Sequence, residues 1–274
     1  NVKRENAEAK GKTYEENRLP RDIGLLFDWY ATEPPIKWHD NSDKVAVMLE
    51  AWDNKDRWIA TIDVDDKVLV TQHRMHDIAW VNYRFNEFGW FDGAETLYLL
   101  SEESGYSQLY TKPLNGKLTA VTQGNFVVDN VVITQDDKYF YYKANKKHPG
   151  IYEIYRVPTD SIDSEALTDL NGMTDYRLSP DESALLLTHS KLVTPPELYS
   201  LDLRIESDLP IKITSTVSDK FLSINWTSPS IVAVKSSHTE QPIYSRVYAP
   251  QGSASEKRRA VIFNHGAGYL QNSH

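Results

Sequence analysis

The residues whose types and spacing point most directly to chemistry lie late in the sequence. Ala260-Val261-Ile262-Phe263 is a short apolar run, and it leads into Asn264-His265-Gly266-Ala267-Gly268-Tyr269. The run predicts a buried strand ending in a His-Gly-x-Gly turn. Such a turn can aim backbone N–H groups, or the side chain at 265, at the oxyanion that develops during acyl transfer. His265 and Gly266 are therefore the oxyanion-loop candidates. An acyl transfer also needs a nucleophile, and the sequence supplies no obvious one. No Gly-x-Ser-x-Gly elbow occurs in the 274 residues, and the absence of cysteine removes a thiolate. The nearest approach is Gly105-Tyr106-Ser107-Gln108-Leu109, where Leu109 stands in place of the final glycine. It also sits in a hairpin pattern rather than a strand-to-helix turn. Only eight residues follow Gly266.

Other polar groups carry weaker signals. Glu102 and Glu103 form an acidic pair that could hold an amine, but neighbours on a strand point to opposite faces. A solvated hairpin before Gly105 is the better reading of them. His73-Arg74-Met75-His76-Asp77 places two histidines and an aspartate close together. The segment reads as a loop between strands, and an i, i+3 pair converges on a metal only in a helix. Asp63, Asp65 and Asp66 lack the glycine and terminal glutamate of a calcium loop. Asp53-Asn54-Lys55-Asp56 reads as a hairpin turn. No metal and no cofactor is expected. Asn225-Trp226-Thr227 fits the glycosylation pattern but overlaps a predicted strand. Arg18, Arg21, Arg74 and Arg84 are candidates for binding a peptide carboxylate or carbonyl, because a guanidinium offers a planar fork of donors.

The elements that must position these groups are strands. The chain holds 7 Trp and 16 Tyr, residues that pack well on a pleated surface, and 40% of its residues are hydrophobic, enough for a sizeable core. Short apolar strands recur after acidic or Ser/Pro turns. They begin at Val45, Leu97, Tyr139, Ala184 and Ile231, so the steps are 52, 42, 45 and 47 residues. A strand-only repeat near 45 residues is the signature of β-propeller blades of four strands. Second strands follow at Trp58–Val64, Gln108–Tyr110, Ile154–Val157 and Glu197–Leu201. Closing strands are read at Leu118–Thr122, Ala166–Thr168 and Ile211–Thr214, and leading strands at Phe88–Trp90 and Ile224–Trp226. The fold class is all-β, with about five four-stranded blades in residues 25–250. Residues 1–24 read as a polar lead-in, 251–259 as a linker, and 260–274 as the start of another domain. A β-sandwich with accidental spacing is the competing architecture.

Net charge bears on partners. The formal charge of −9 disfavours a nucleic-acid partner, which needs clustered Lys and Arg. No apolar run approaches the roughly 20 residues that span a bilayer.

Three segments together resemble the prolyl oligopeptidase family of serine peptidases, in its dipeptidyl peptidase IV-like branch. Leu100-Ser101-Glu102-Glu103-Ser104-Gly105-Tyr106-Ser107-Gln108-Leu109-Tyr110 resembles a blade segment of that branch. Ile243-Tyr244-Ser245-Arg246-Val247-Tyr248-Ala249-Pro250 resembles the strand that leaves the propeller. Ala260 to Tyr269 resembles the entry strand and His-Gly loop of the family's α/β-hydrolase domain. The resemblance covers most of residues 25–274. It implies a propeller that limits access to short peptides and a serine–histidine–aspartate triad that cleaves them. It also implies a peptide substrate, the chain's own catalytic domain as partner, and a periplasmic or secreted location. The family places its triad after the His-Gly loop, so the triad is expected outside these residues and the chain alone is expected to be inactive. No Asp-Trp-x-Tyr-Glu-Glu helix, which binds the substrate's amino terminus in that branch, is present. A free-standing propeller that binds a peptide or protein without chemistry is the alternative. An open arc of blades would leave strand edges to protect, and so predicts oligomers. Residues 255–274 are expected to pack poorly unless another chain covers them.

Overall fold

The computed structural model describes residues 22–26, 34–41, 43–205, 208–250, 259–264 and 266. Four antiparallel sheets follow one another along the chain. In the first, β1 (Ile23–Leu25) and β2 (Ile36–Trp38) share one side of β3 (Val45–Ala51), and β4 (Asp56–Asp63) and β5 (Val68–His76) complete the order. The second runs β6 (Phe88–Trp90), β7 (Thr96–Ser101), β8 (Gln108–Pro113), β9 (Thr119–Ala120). The third runs β10 (Val128–Ile133), β11 (Tyr139–His148), β12 (Ile151–Pro158), β13 (Glu165–Ala166). The fourth runs β14 (Met173–Leu178), β15 (Ala184–Lys191), β16 (Thr194–Asp202), β17 (Ile211–Lys212). One parallel bridge, Tyr152 to Met173, joins the third and fourth sheets. A four-residue helix α1 (Asp219–Leu222) precedes a two-stranded ladder of β18 (Ser230–Val234) and β19 (Ile243–Val247). Sequential four-stranded sheets of this kind are propeller blades. The inner strands start at Val45, Thr96, Tyr139 and Ala184, within a residue of the sequence repeat.

The apolar core lies in the seams between successive blades. Ala46, Met48 and Ile59 meet Phe88, Leu97, Leu99 and Tyr110 between the first two. Leu100, Leu109 and Val121 meet Phe140, Tyr142 and Val157 between the next two. Tyr141 and Ile154 meet Tyr176, Leu185 and Leu187 in the last seam. Period-two alternation builds these faces: on β15, Leu185 and Leu187 are fully buried while Leu186 is 45% exposed.

Two polar devices recur. At the turns before two inner strands, β11 and β15, a carboxylate reaches back to the preceding blade. Asp137 accepts from Asp92 N at 3.0 Å and Gly93 N at 2.7 Å, and Glu182 accepts from Gln135 N at 2.8 Å. Both acids occupy left-handed backbone, φ 57° and 56°, which swings their side chains outward from the turn. At the other end, a threonine just past the fourth strand caps the start of the third. Thr122 Oγ1, Thr168 Oγ1 and Thr214 Oγ1 accept from Leu109 N, Ile154 N and Leu198 N at 2.9, 3.0 and 2.9 Å. Each hydroxyl in turn donates to a buried side chain: Gln108, Glu153 and Glu197 respectively.

Three expectations are corrected. Residues 73–76 belong to strand β5, not to a loop. The run looks polar because β5 pairs on one side only, and its charged side chains meet a buried aspartate on β4 while Met75 turns inward, 8% exposed. Ile224–Trp226 is not a leading strand. Ser218 caps α1 through Phe221 N, and the Trp226 indole folds back to donate to Phe221 O at 3.1 Å. The fifth unit therefore has two strands among the described residues. Ala260–Phe263 forms no strand, and Val261, Ile262 and Phe263 are 95%, 91% and 82% exposed. Poor packing was expected there. Of the predicted linker 251–259, only Arg259 is among the described residues.

The threonine clamp makes a testable claim. Thr168→Val removes the donor to the fully buried Glu153 carboxylate and the acceptor for Ile154 N. Urea unfolding should show a loss of about 2–4 kcal/mol. The exposed Thr119→Val should stay within about 0.5 kcal/mol. Equal effects would show that the clamp is not a structural element.

Candidate functional site

Because the strands alternate in direction, the hairpins joining second and third strands share one end of the blades with the connectors between blades. Most of the polar groups gather there. In the first blade the Asp56 carboxylate is fully buried and accepts from Arg74 Nε at 2.8 Å, Arg74 Nη2 at 2.7 Å and His76 Nδ1 at 2.9 Å. Next to it, Arg57 is 3% exposed and grips the connector 77–87. Its Nη2 donates to Asn82 O at 2.7 Å, and its Nη1 donates to Asn86 Oδ1. Asn54 Nδ2 donates to Val81 O at 2.8 Å. The connector, which carries Arg84 and Glu87, is thus held to the first blade by buried groups.

Glu102 and Glu103 diverge. Glu102 is half-buried and accepts from Asn82 Nδ2 at 3.3 Å, and burial raises its pKa. Glu103 is exposed and turns toward His73, 3.8 Å from Nε2. Gly105, at φ +94°, closes the hairpin that holds both. Ser101 Oγ lies 3.2 Å from the same His73 Nε2 and 3.4 Å from Glu103 Oε2. These are the residue types of a hydrolytic triad, but not its geometry. A triad needs the hydroxyl and the carboxylate on opposite ring nitrogens. Ser101 is also fully buried, and burial lowers the His73 pKa to about 4, so the ring stays neutral.

A second cluster joins three blades at the Asp129–Asn130 bulge of β10, where Asn130 takes φ 52°. Asn130 N donates to Glu87 Oε1 at 3.0 Å, and Asn130 O accepts from Tyr176 OH at 2.7 Å. Arg84 Nη2 lies 2.8 Å from Asp129 Oδ2, and Lys143 Nζ lies 3.4 Å from it and 2.5 Å from Asp175 Oδ1. Burial would pull the Lys143 pKa down, but Asp129 and Asp175 outweigh it and the ammonium is stabilised. Burial, and then the Asp129 charge, push Glu87 up to about 7. Arg84 keeps 45% of its side chain exposed, so part of its fork faces outward.

Of the sequence candidates, Arg74 is committed to Asp56, Arg84 stands at the rim of the three-blade cluster, and Gly266 is exposed. His265, Arg18 and Arg21 lie outside the described residues. Asp56, Glu87, Asp129, Lys143 and Asp175 were not anticipated. The pair Asp129-Asn130 inside the apolar run Phe126–Ile133 is the one signal that marks them, since a polar pair in a buried strand calls for a bulge. Among the described residues, no group of three or more His, Asp or Glu is placed to hold a metal ion.

The family model described as the dipeptidyl peptidase IV N-terminal region matches residues 27–196. Among solved structures, the crystal structure of Porphyromonas gingivalis dipeptidyl peptidase 4 superposes with a TM-score of 0.67 at 16% sequence identity. The match covers 85% of this chain and 32% of that one, so the chain spans about a third of that protein's length. At this identity the likeness concerns the fold. No curated protein sequence matches the chain.

Glu87 gives the cluster a pH signature. Its ordinary value is 4.5, and in the fold it rises to about 7, so the fold favours the protonated form. The stability from that form is fully present below about pH 4.5 and is lost as the pH rises to about 7. Glu87→Gln keeps the shape and cannot ionise. In urea titrations the wild type should lose stability relative to Glu87→Gln between pH 5 and 7, by at most about 1.4 kcal/mol per unit. A constant difference across that range would clear Glu87 of the role.

Proposed function

The chain belongs to the dipeptidyl peptidase IV N-terminal region family, and we propose from this that it is the substrate-gating propeller of a serine-type peptidase, one that releases dipeptides or short oligopeptides from the amino end of peptides. The family match over residues 27–196, which takes in most of the first three blades and part of the fourth, is the observation that carries the proposal. The proposal includes a division of labour, in which a separate catalytic domain cleaves and the blades select. In that reading Ala260–Tyr269 opens the catalytic domain, and His265 and Gly266 shape its oxyanion loop. No helix among the described residues is long and apolar enough to cross a membrane. A periplasmic or secreted location is part of the same proposal.

The roles follow from the chemistry of the exposed groups. A propeller admits only chains narrow enough to pass its opening, which favours short peptides. The outward part of the Arg84 fork can donate to a peptide carbonyl or carboxylate, while Asp129 holds the guanidinium in place. Glu102 lies next in the chain of contacts through Asn82 and is the acid assigned to an amine. The effect of both groups is binding and orientation.

Two outcomes follow. Reading the gene past His274 should reveal a Gly-x-Ser-x-Gly elbow within roughly 100–150 codons, then aspartate and histidine in that order. A stop codon close to His274 would overturn the peptidase reading in favour of a binding propeller. In the full-length enzyme, Arg84→Gln should raise KM about tenfold with little change in kcat, the sign of lost uniform binding. An unchanged KM would remove Arg84 from the substrate path.

A further inference from the structure

A cleft of about 420 Å³ opens where the hairpins of the third and fourth blades meet β18. Its walls include Ile151, Leu192, Val193 and Ile231, with Lys191 and His148 among its lining residues. That volume lies within the range of small-ligand sites, and an apolar wall with a few convergent polar groups is the usual composition of one. The β19 strand supports the cleft from behind: the Tyr244 ring meets the His148 ring edge-on, centroids 4.7 Å apart.

Among the polar groups that line the cleft Lys191 carries the charge, and Asn171, Thr194 and Ser228 are neutral. His148 Nδ1 accepts from Gly150 N at 3.0 Å, which makes the neutral ring carry its hydrogen on Nε2, as a donor. Lys191 makes no ion pair with a carboxylate among the described residues, although the chain as a whole carries −9. Behind the lining residue Gly172 stands His189, 3% exposed. A Cβ at 172 would come within 2.7 Å of His189 Cε1, so the glycine leaves the ring edge uncovered on that side. His189 Nδ1 is engaged with Thr174 Oγ1 at 3.0 Å, and Nε2 is buried with no hydrogen-bond partner. Burial first, and the Lys191 charge second, lower the His189 pKa, so the ring is neutral.

We propose that this cleft binds a small apolar carboxylate, and that its occupant is the apolar C-terminal residue of a peptide. Leu192, Val193 and Ile231 take the side chain, and Lys191 with His148 Nε2–H takes the carboxylate. A charged pair plus a donated hydrogen bond discriminates a carboxylate from its amide, because the amide offers neither the charge nor two acceptors. The site rests on the peptidase reading only for the source of its occupant.

The test uses the 274-residue chain alone and reads binding, so it does not depend on turnover. Acetyl-leucine and acetyl-leucinamide are titrated by isothermal calorimetry and by amide chemical-shift perturbation. Acetyl-leucine should bind saturably, with shifts at residues 148–151 and 191–194, and the amide should bind at least about tenfold more weakly. Lys191→Gln, an exposed position, should abolish that preference, and Leu192→Asp should weaken both ligands. Equal affinity for acid and amide would overturn the proposal, as would shifts confined to other residues or no saturable binding at all.

Discussion

Much of the arrangement depends on how a bulge in β10 is satisfied. Leading strands of successive blades come close together, and polar backbone there has little access to water. The Asp129–Asn130 bulge breaks the ladder to β11, so Asn130 loses its strand partners. Its N–H is taken up by Glu87 from the blade before and its carbonyl by Tyr176 from the blade after. An unpaired buried backbone group costs on the order of 1–3 kcal/mol. Asp129 Oδ1 also accepts from Asn130 N at 3.0 Å, so the carbonyl is the group that relies on the neighbouring blade. The three blades are therefore linked by polar contacts as well as by apolar ones. The charges of Arg84, Asp129, Lys143 and Asp175 then compensate one another around the same point.

The threonine clamps solve a related problem in the second, third and fourth blades. A short fourth strand of two residues, such as β9, β13 or β17, offers the third strand few ladder bonds. The following threonine supplies the missing acceptor and hands its own hydrogen to a buried side chain. That side chain is Gln108 in one blade and Glu153 or Glu197 in the others. The amide in the second blade also donates to Gly124 O and Phe126 O, which no carboxylate can do. The glutamates instead accept backbone N–H groups, at Asn171 and Thr216. One geometry is thus met by two chemistries, with the connector after each blade adapting to the charge.

The repeat was legible because its signal is redundant. Acidic turns, β-branched and aromatic runs and the near-45-residue spacing all agree, and the inner strands fell within a residue of their predicted starts. Boundaries failed where one cue stood alone. The run His73–His76 looks like a loop by composition, yet pairing with β4 and the buried Asp56 make it strand. Ile224–Trp226 alternates like a strand, but local capping by Ser218 and the fold-back of Trp226 satisfy its groups without a partner. The site was less legible for the same reason. Asp56, Glu87, Asp129 and Asp175 each look like ordinary surface acids, and what marks them is a partner 18 to 45 positions away.

The Ser101, His73 and Glu103 group shows why residue inventory and chemistry part company in this chain. The three side chains lie within 4 Å of one another, on adjacent blades, and at the end of the strands that carries the other polar groups. Proximity is not the limiting factor. Catalysis by such a set needs a proton path through both ring nitrogens and an exposed hydroxyl, and this set routes serine and carboxylate to a single nitrogen in a closed seam. Burial lowers the histidine's proton affinity to a level useless for a base at neutral pH. The same burial makes Ser101 a good structural hydrogen-bonding group, which also contacts Met75 S at 3.8 Å. Seams that are tight enough to align blades exclude the water and substrate that a nucleophile must meet. The groups that keep access to solvent lie outside these seams, among them the 45% exposed Arg84 and the cleft beside β18.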